Sequence, residues 1–382
     1  MAAKKQKRKI FWRQCIGLML FTLLGALCGL LAGRYLAAVS AMGLPLGQYL
    51  LLLGMLCLGI YAAFLLQIII HEAGHLAGGL CSGYRYCSFR IGSFMWIRED
   101  GRLRCKRLSI AGTGGQCLMC PPDMVAGKIP FTLYNLGGAL ANMLAGLVFL
   151  CVYQLLPRTA HLSFFLLLSG AIGIALALIN GIPLRLGAVN NDGHNALSLG
   201  KSPDALRSFW VQIKVNEQVA QGVRLKDMPA EWFALPTEAG MQNGMTAALA
   251  VFAANRLMDG HAFGEAAELI ERLLKMDSAI VGLHRGLLAC DLIFCELIAK
   301  NRGEKPAPLL DGWQKKFMKS MKNFPTVLRT EHAYALLAEN DAQKAGQIKA
   351  RFEKQALSYP YPSDIESERE LMQIAEQAAQ GA

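Results

Sequence analysis

Acidic side chains are scarce in the first half of this 382-residue chain: residues 1–195 hold five Asp/Glu against 17 Lys/Arg, while residues 196–382 hold 23 against 22. The formal charge of +11 therefore sits in the half that is also the more apolar. That pattern fits Lys and Arg gathered at the ends of membrane helices better than a basic groove tracking phosphates, so no nucleic acid is expected as a partner. Paired cysteine spacings are also lacking. Of the 11 cysteines, Cys15, Cys28, Cys57 and Cys151 lie inside apolar runs, and nothing in the rest requires an oxidising compartment.

What the chain does have is long apolar runs, in a composition that is 53% hydrophobic. Leu51–Ile70 carries no charge over twenty residues, enough at about 1.5 Å per residue to cross a hydrocarbon core of roughly 30 Å. An uncharged stretch also follows the basic N-terminus, and two more flank Pro157–His161. Four spans are predicted, at about 14–39, 46–80, 131–156 and 162–184. The first is longer than the core of a signal peptide and leads into a second span with no folded domain between, so it reads as a retained helix. Segments 1–13 and 82–130 carry 14 Lys/Arg, whereas Arg34 and Arg158 mark the other side, which puts both termini in the cytoplasm.

Between the second and third spans, residues 84–110 are rich in aromatic and β-branched types. Glu99-Asp100-Gly101 divides Phe94–Arg98 from Arg102–Cys105, predicting a β-hairpin with an Asp-Gly turn. After Asn195 the pattern becomes apolar residues at helical spacing among charges. Ala247–Met276 and Ala333–Leu357 each read as a helix, a turn and a second helix. The expected fold is thus mostly α: a basic N-terminus (1–13), a four-span helical membrane core with a small β-hairpin insertion (14–195), and a soluble, all-α, helical-repeat-like cytoplasmic domain (196–382). A cytoplasmic protein is the expected partner of that last domain.

The strongest chemical signal is His71-Glu72-Ala73-Gly74-His75, continuous with the second apolar run. At helical pitch His71 and His75 fall a turn apart on one face, where both imidazoles reach one metal ion, and Glu72 lies beside them near a water on that metal. A charged side chain near the bilayer centre costs about 2.5–3.5 kcal/mol, so Glu and His clusters at membrane depth are normally retained for function. Zinc in a hydrolase needs a third protein ligand, and the acidic candidates are Glu99, Asp100, Asp123 and Asp192. Glu99 and Asp100 make the predicted turn and Asp123 follows Pro121-Pro122. Asp192 comes soon after the span that returns the chain to the side of His71, which makes it the best placed. His194 is the alternative third ligand.

With these motifs the chain resembles the site-2 protease family of intramembrane zinc metalloproteases over residues 50–195. Members pair a His-Glu-x-x-His helix with Asn-x-x-Pro and Asp-Gly on a later segment. Here those motifs correspond to Asn180-Gly181-Ile182-Pro183 and Asp192-Gly193, with several extra residues between Pro183 and Asp192 and with His194 where a second Gly is usual. Gly138-Ala139-Leu140-Ala141-Asn142 resembles a further family element, with Ala139 where Pro is common. The resemblance implies His71, His75 and Asp192 as ligands of Zn2+, Glu72 as the catalytic base, Asn142 and Asn180 as residues that hold substrate backbone, and the hairpin as the element that presents substrate. It implies a membrane protein with a transmembrane segment as substrate, the lipid bilayer as surroundings and a bacterial plasma membrane as location.

Two other classes compete. A metal transporter should place ionisable groups at several depths, and the other spans contain essentially none. A catalytically silent scaffold would bind partners through the C-terminal helices. Cys117 and Cys120 form a single Cys-x-x-Cys and read as ordinary thiols. Gly74 and Gly78 read as a small-residue face for helix packing.

Overall fold

A computed structural model describes residues 2–41, 43–99, 101–109, 113–157, 161–186, 189–299 and 309–380. The chain forms two compact units: Met1–Tyr86, Gly114–Pro122 and Pro130–Lys201 make the first, and Cys87–Thr113, Asp123–Ile129 and Ser202–Ala382 the second.

The first unit is built on α1 (Ala2–Ser40), α2 (Leu46–Cys81), α3 (Thr132–Leu155) and α4 (His161–Gly181). Leu46–Cys81, Thr132–Leu155 and Leu162–Gly181 are each long and apolar enough to cross a membrane. They are helical because nothing interrupts them: Pro45 stands just before α2, where a missing N–H costs nothing, and no proline falls inside the three. Their apolar residues point outward as well as inward, with Leu51, Leu58 and Leu144 about two-thirds exposed, which suits contact with lipid and not with water. The expected first span falls within α1, whose described apolar stretch is the shorter Thr22–Ala37. Helices α2 and α3 touch backbone to backbone. A Cβ on Gly74 would stand 2.3 Å from the Gly137 carbonyl oxygen, and one on Gly78 2.3 Å from that of Leu133. Only hydrogen side chains permit this approach, which puts the face of α2 that carries His71 and His75 directly on α3.

In the second unit, β1 (Arg85–Ile91, whose first two residues belong to the first unit), β2 (Phe94–Glu99) and β3 (Arg102–Arg107) form an antiparallel meander in the order β3-β2-β1. Phe89 pairs with Trp96, Trp96 with Cys105, and Glu99 with Arg102. The two-residue loop expected at 100–101 follows from that register, with Gly101 at φ +75° as a tight hairpin demands; Asp100 lies outside the described residues. The predicted single hairpin is thus two, joined through Gly92 at φ +58°. The second unit takes in the meander together with the helices from Ser202 onward. The cause is burial: Met95 and Leu108 share an apolar cluster with Leu328, Phe352, Tyr359 and Met372, and the Arg107 amide donates to Ser358 O at 2.8 Å.

The later helices are α6 (Pro203–Ala220), α7 (Gly244–Asp259), α8 (Phe263–Lys275), α9 (Gly282–Ile298), α10 (Gly312–Ser320), α11 (Pro325–Leu337), α12 (Ala342–Ala356) and α13 (Pro362–Gln380). Their starts are written in the sequence. Ser202 caps α6 by accepting from the Ala205 amide with Pro203 in the first turn, and Asp311 and Asp341 cap α10 and α12. In α8 the residues Ala266, Leu269, Ile270 and Leu273 are buried, a spacing that lines one helix face. They join a core with α7 and α9 that includes Val251, Leu288 and Phe294.

Candidate metal centre

His71 and His75 lie one turn apart on α2, with their Nε2 atoms 3.1 Å from each other. Asp192 completes a cluster within the first unit: its Oδ2 is 3.1 Å from Nε2 of His71 and 3.4 Å from Nε2 of His75. Among the described residues this is the one group of His, Cys, Asp and Glu donors close enough to share an ion.

Asp192 reaches that position because of its neighbours. It opens the short helix α5 (Asp192–Leu199), for which Asn191 is the N-cap. The Asn191 Oδ1 accepts from the amides of His194 (2.9 Å) and Leu184 (3.0 Å), while its Nδ2 donates to the carbonyls of Ile179 (2.6 Å) and Ile182 (2.5 Å). One buried carboxamide therefore ties the start of α5 to the end of α4. The following Gly193 is pressed against that same end, since a Cβ there would lie 2.1 Å from Gly181 O. The Asp-Gly pair thus has a division of labour: the glycine lets the backbone close in, and the aspartate points at the histidines.

The orientation of the imidazoles is fixed from behind. His75 Nδ1 is 2.7 Å from Tyr134 O, a carbonyl that can only accept, so the proton of a neutral ring sits on Nδ1. His71 Nδ1 is 2.8 Å from Asn142 Oδ1. The Asn142 amide is set in turn by its Nδ2, which donates to Gln67 O (3.0 Å) and Oε1 (2.8 Å), and the Gln67 Nε2 donates to Ser169 O (2.9 Å). Asn142 and Gln67 are fully buried. This relay from α4 through α2 and α3 back to α2 places the His71 proton on Nδ1 as well. Two Nε2 lone pairs and a carboxylate oxygen then face one another, and the Asp192 Oδ2 is buried with no hydrogen bond. Such an arrangement is repulsive unless a proton or a cation lies between the donors. Two imidazoles and one carboxylate form a donor set whose chemistry is compatible with a divalent metal ion such as zinc.

No family model, curated protein or solved structure matches the chain. What the cluster can do follows from its donors and surroundings.

Two further glycines shape it. A Cβ on Gly138 would fall 2.6 Å from Cε1 of His71 and 2.7 Å from Nε2 of His75, and one on Gly115 would fall 2.6 Å from Oε1 of Glu72. Glu72 is 8% exposed and directly follows His71, so a carboxylate lies against a wall of bare backbone at the start of β4 (Gly115–Cys120). The side chains of His71, His75 and Asp192 keep 14, 12 and 22% of their surface open.

The other candidates fall elsewhere. Asn142, expected to hold substrate backbone, has both ends of its amide engaged by His71 and Gln67 and no exposed surface. Asn180 is half-buried and donates to Leu176 O one turn back. His194 is buried outside the donor group. Asp123 is exposed and 3.6 Å from Lys214 Nζ, and the side chains of Glu99 and Asp100 lie outside the described residues. Cys117 and Cys120 are buried thiols; burial, with the charge of Glu72, pushes Cys117 up to about 12, so it stays protonated. Gln67, Tyr134 and Asn191 were not picked out from the sequence. Gln67 carried a usable signal, being the lone carboxamide in an apolar run and four residues before His71, on the same helix face.

Proposed function

We propose that this chain is an intramembrane zinc metalloprotease that hydrolyses a peptide bond in or next to a transmembrane segment of another membrane protein. The observation that carries the reading is the convergence of His71, His75 and Asp192 beside Glu72 on a helix of membrane length. The resemblance to site-2 proteases over residues 50–195 supports it. The proposal includes a fourth span, within α1, and cytoplasmic termini in a bacterial plasma membrane.

His71, His75 and Asp192 would hold the zinc ion. When bound, zinc supplies Lewis acidity, lowering the pKa of a coordinated water toward neutrality and polarising the scissile carbonyl. Glu72 takes a proton from the attacking water and returns it to the departing amine nitrogen, so one carboxylate serves as base and then as acid. The Gln67–Asn142 relay and Tyr134 O keep both Nε2 atoms free of protons and directed at the ion. A helical substrate has its peptide bonds hydrogen-bonded and must become extended before water can attack. Arg102–Cys105 of β3 are exposed at the edge of the meander, which supports strand addition as the way that extension is stabilised.

The test is co-expression of wild-type and Glu72→Gln protein with tagged single-span membrane proteins, scoring fragment release while zinc content is determined in parallel. Cleavage by the wild type alone, with zinc in both, is the expected result. Equal zinc with no cleavage of any substrate would favour a scaffold, and absence of zinc would sink the site.

A further inference from the structure

The second unit contains a cavity of about 180 Å3 among α7, α9, α11 and α13. Two arginines and four carboxyl groups line it. Both arginines are already spent. Arg224 donates to Asp259 and to Glu370 (Nη1 to Oε1, 2.8 Å), and Arg329 donates to Asp291 and to Glu368 (Nε to Oε2, 2.8 Å). Each cation is thus shared by two acids. Asp259 and Glu368 are further tied by Ser367 and Thr326.

Three lining groups stand apart from this network. The Asp364 carboxyl has no hydrogen bond or ion pair among the described residues, and neither the Tyr359 hydroxyl nor the Asn255 carboxamide has a side-chain hydrogen bond there. Tyr359 is only 6% exposed and lines the cavity. Its ring and that of Phe324, edge to face at 6.3 Å, add two aromatic surfaces to the same cavity.

We propose that this cavity binds a small organic cation, a primary amine or guanidinium compound, with Asp364 as its counter-ion and Phe324 and Tyr359 as aromatic walls. The lining charge is negative, which repels an anion. Among the described residues the cavity's carboxylates form no group of three close enough to share a metal ion, which favours an organic cation. An ammonium or guanidinium carries several N–H donors, which match the carboxylate, the phenol oxygen and the carboxamide oxygen, and its charge is attracted to aromatic faces. The volume is that of roughly six waters at about 30 Å3 each and falls below the roughly 300 Å3 at which drug-sized pockets begin, so the ligand is of metabolite size. Burial, with Glu368 and Asp259 close by, also lifts the Asp364 carboxyl to about 7, the state of a carboxylate that lacks its cation.

The experiment is calorimetric titration of the full-length protein in detergent with putrescine, agmatine and arginine, and with sodium acetate and magnesium chloride at matched ionic strength. Saturable binding of at least one amine or guanidinium compound, unchanged in Glu72→Gln, is expected. Asp364→Asn should weaken it about tenfold or more, and Tyr359→Phe, which keeps the packing if the first variant does not fold, about threefold. No binding of any cationic probe at millimolar concentration, equal binding by the two variants, or an equal response to magnesium would each overturn the proposal.

Discussion

The two units bury polar groups in opposite ways. In the second, each acid of the Arg224 and Arg329 networks meets a guanidinium: Asp259 and Glu370 share Arg224, and Asp291 and Glu368 share Arg329. In the first, two imidazole nitrogens and a carboxylate oxygen crowd within about 3.4 Å with no cation from the chain itself. Paired networks hold a fold in one arrangement. A cluster left without its counter-charge, yet braced from behind by Asn142, Gln67 and Tyr134 O, is the arrangement that the proposed metal ion would complete. Asp364 shows the same contrast on a smaller scale, since among the described residues its carboxyl meets no guanidinium while Asp259, Asp291 and Glu368 in the same cavity do.

The sharpest way to break this contrast is to remove chemistry without removing the cluster. Glu72→Gln should lower cleavage by about a thousandfold, within the range for loss of a general base, while zinc content is unchanged. A variant that still cuts would separate Glu72 from the reaction. Next comes the paired network: Arg329→Ala leaves Asp291 and Glu368 buried without a cation, and should destabilise the second unit by about 3–5 kcal/mol in denaturant unfolding, with zinc content unaffected.

The relay behind the metal ligands should show a smaller effect of a different kind. Gln67→Leu removes the group that orients Asn142, and zinc affinity measured by chelator competition should fall about 10- to 100-fold with the fold retained. If affinity is unchanged, the relay is packing alone.

The smallest effect concerns Asp364, whose carboxyl is raised from 3.8 to about 7 in the folded chain. Between those values the folded chain holds a proton that the unfolded chain has lost, so stability is lost as pH rises through that window. Asp364→Asn removes the loss. In the absence of an added cation its Tm should exceed that of the wild type by about 4 °C at pH 8 and by less at pH 5, read by thermal scans at both pH values.

Local patterns made part of this legible in the sequence. The apolar runs at 46–80, 131–156 and 162–184 correspond to helices Leu46–Cys81, Thr132–Leu155 and Leu162–Gly181, since a helix of uninterrupted apolar residues needs no distant partner to be recognised. His71 and His75 were visible through their spacing, and Asp192 through the scarcity of other acids. What stayed hidden depends on long-range contact. Gln67 meets Asn142 75 residues later, and Arg224 meets Glu370 146 residues later. The meander joins Met95 to Phe352 and Met372, a pairing that no local period announces. The Asn191 side chain ties the start of α5 to the end of α4 through Leu184, Ile179 and Ile182, contacts that its place beside Asp192 in the sequence does not announce.

Metal analysis of purified wild-type protein beside Asp192→Ala, with both shown to be folded, tests the central claim most directly. Stoichiometric zinc in the wild type and little or none in the variant is the predicted result. A wild type without metal, or a variant that retains the same amount, would contradict the account of His71, His75 and Asp192 as a metal centre.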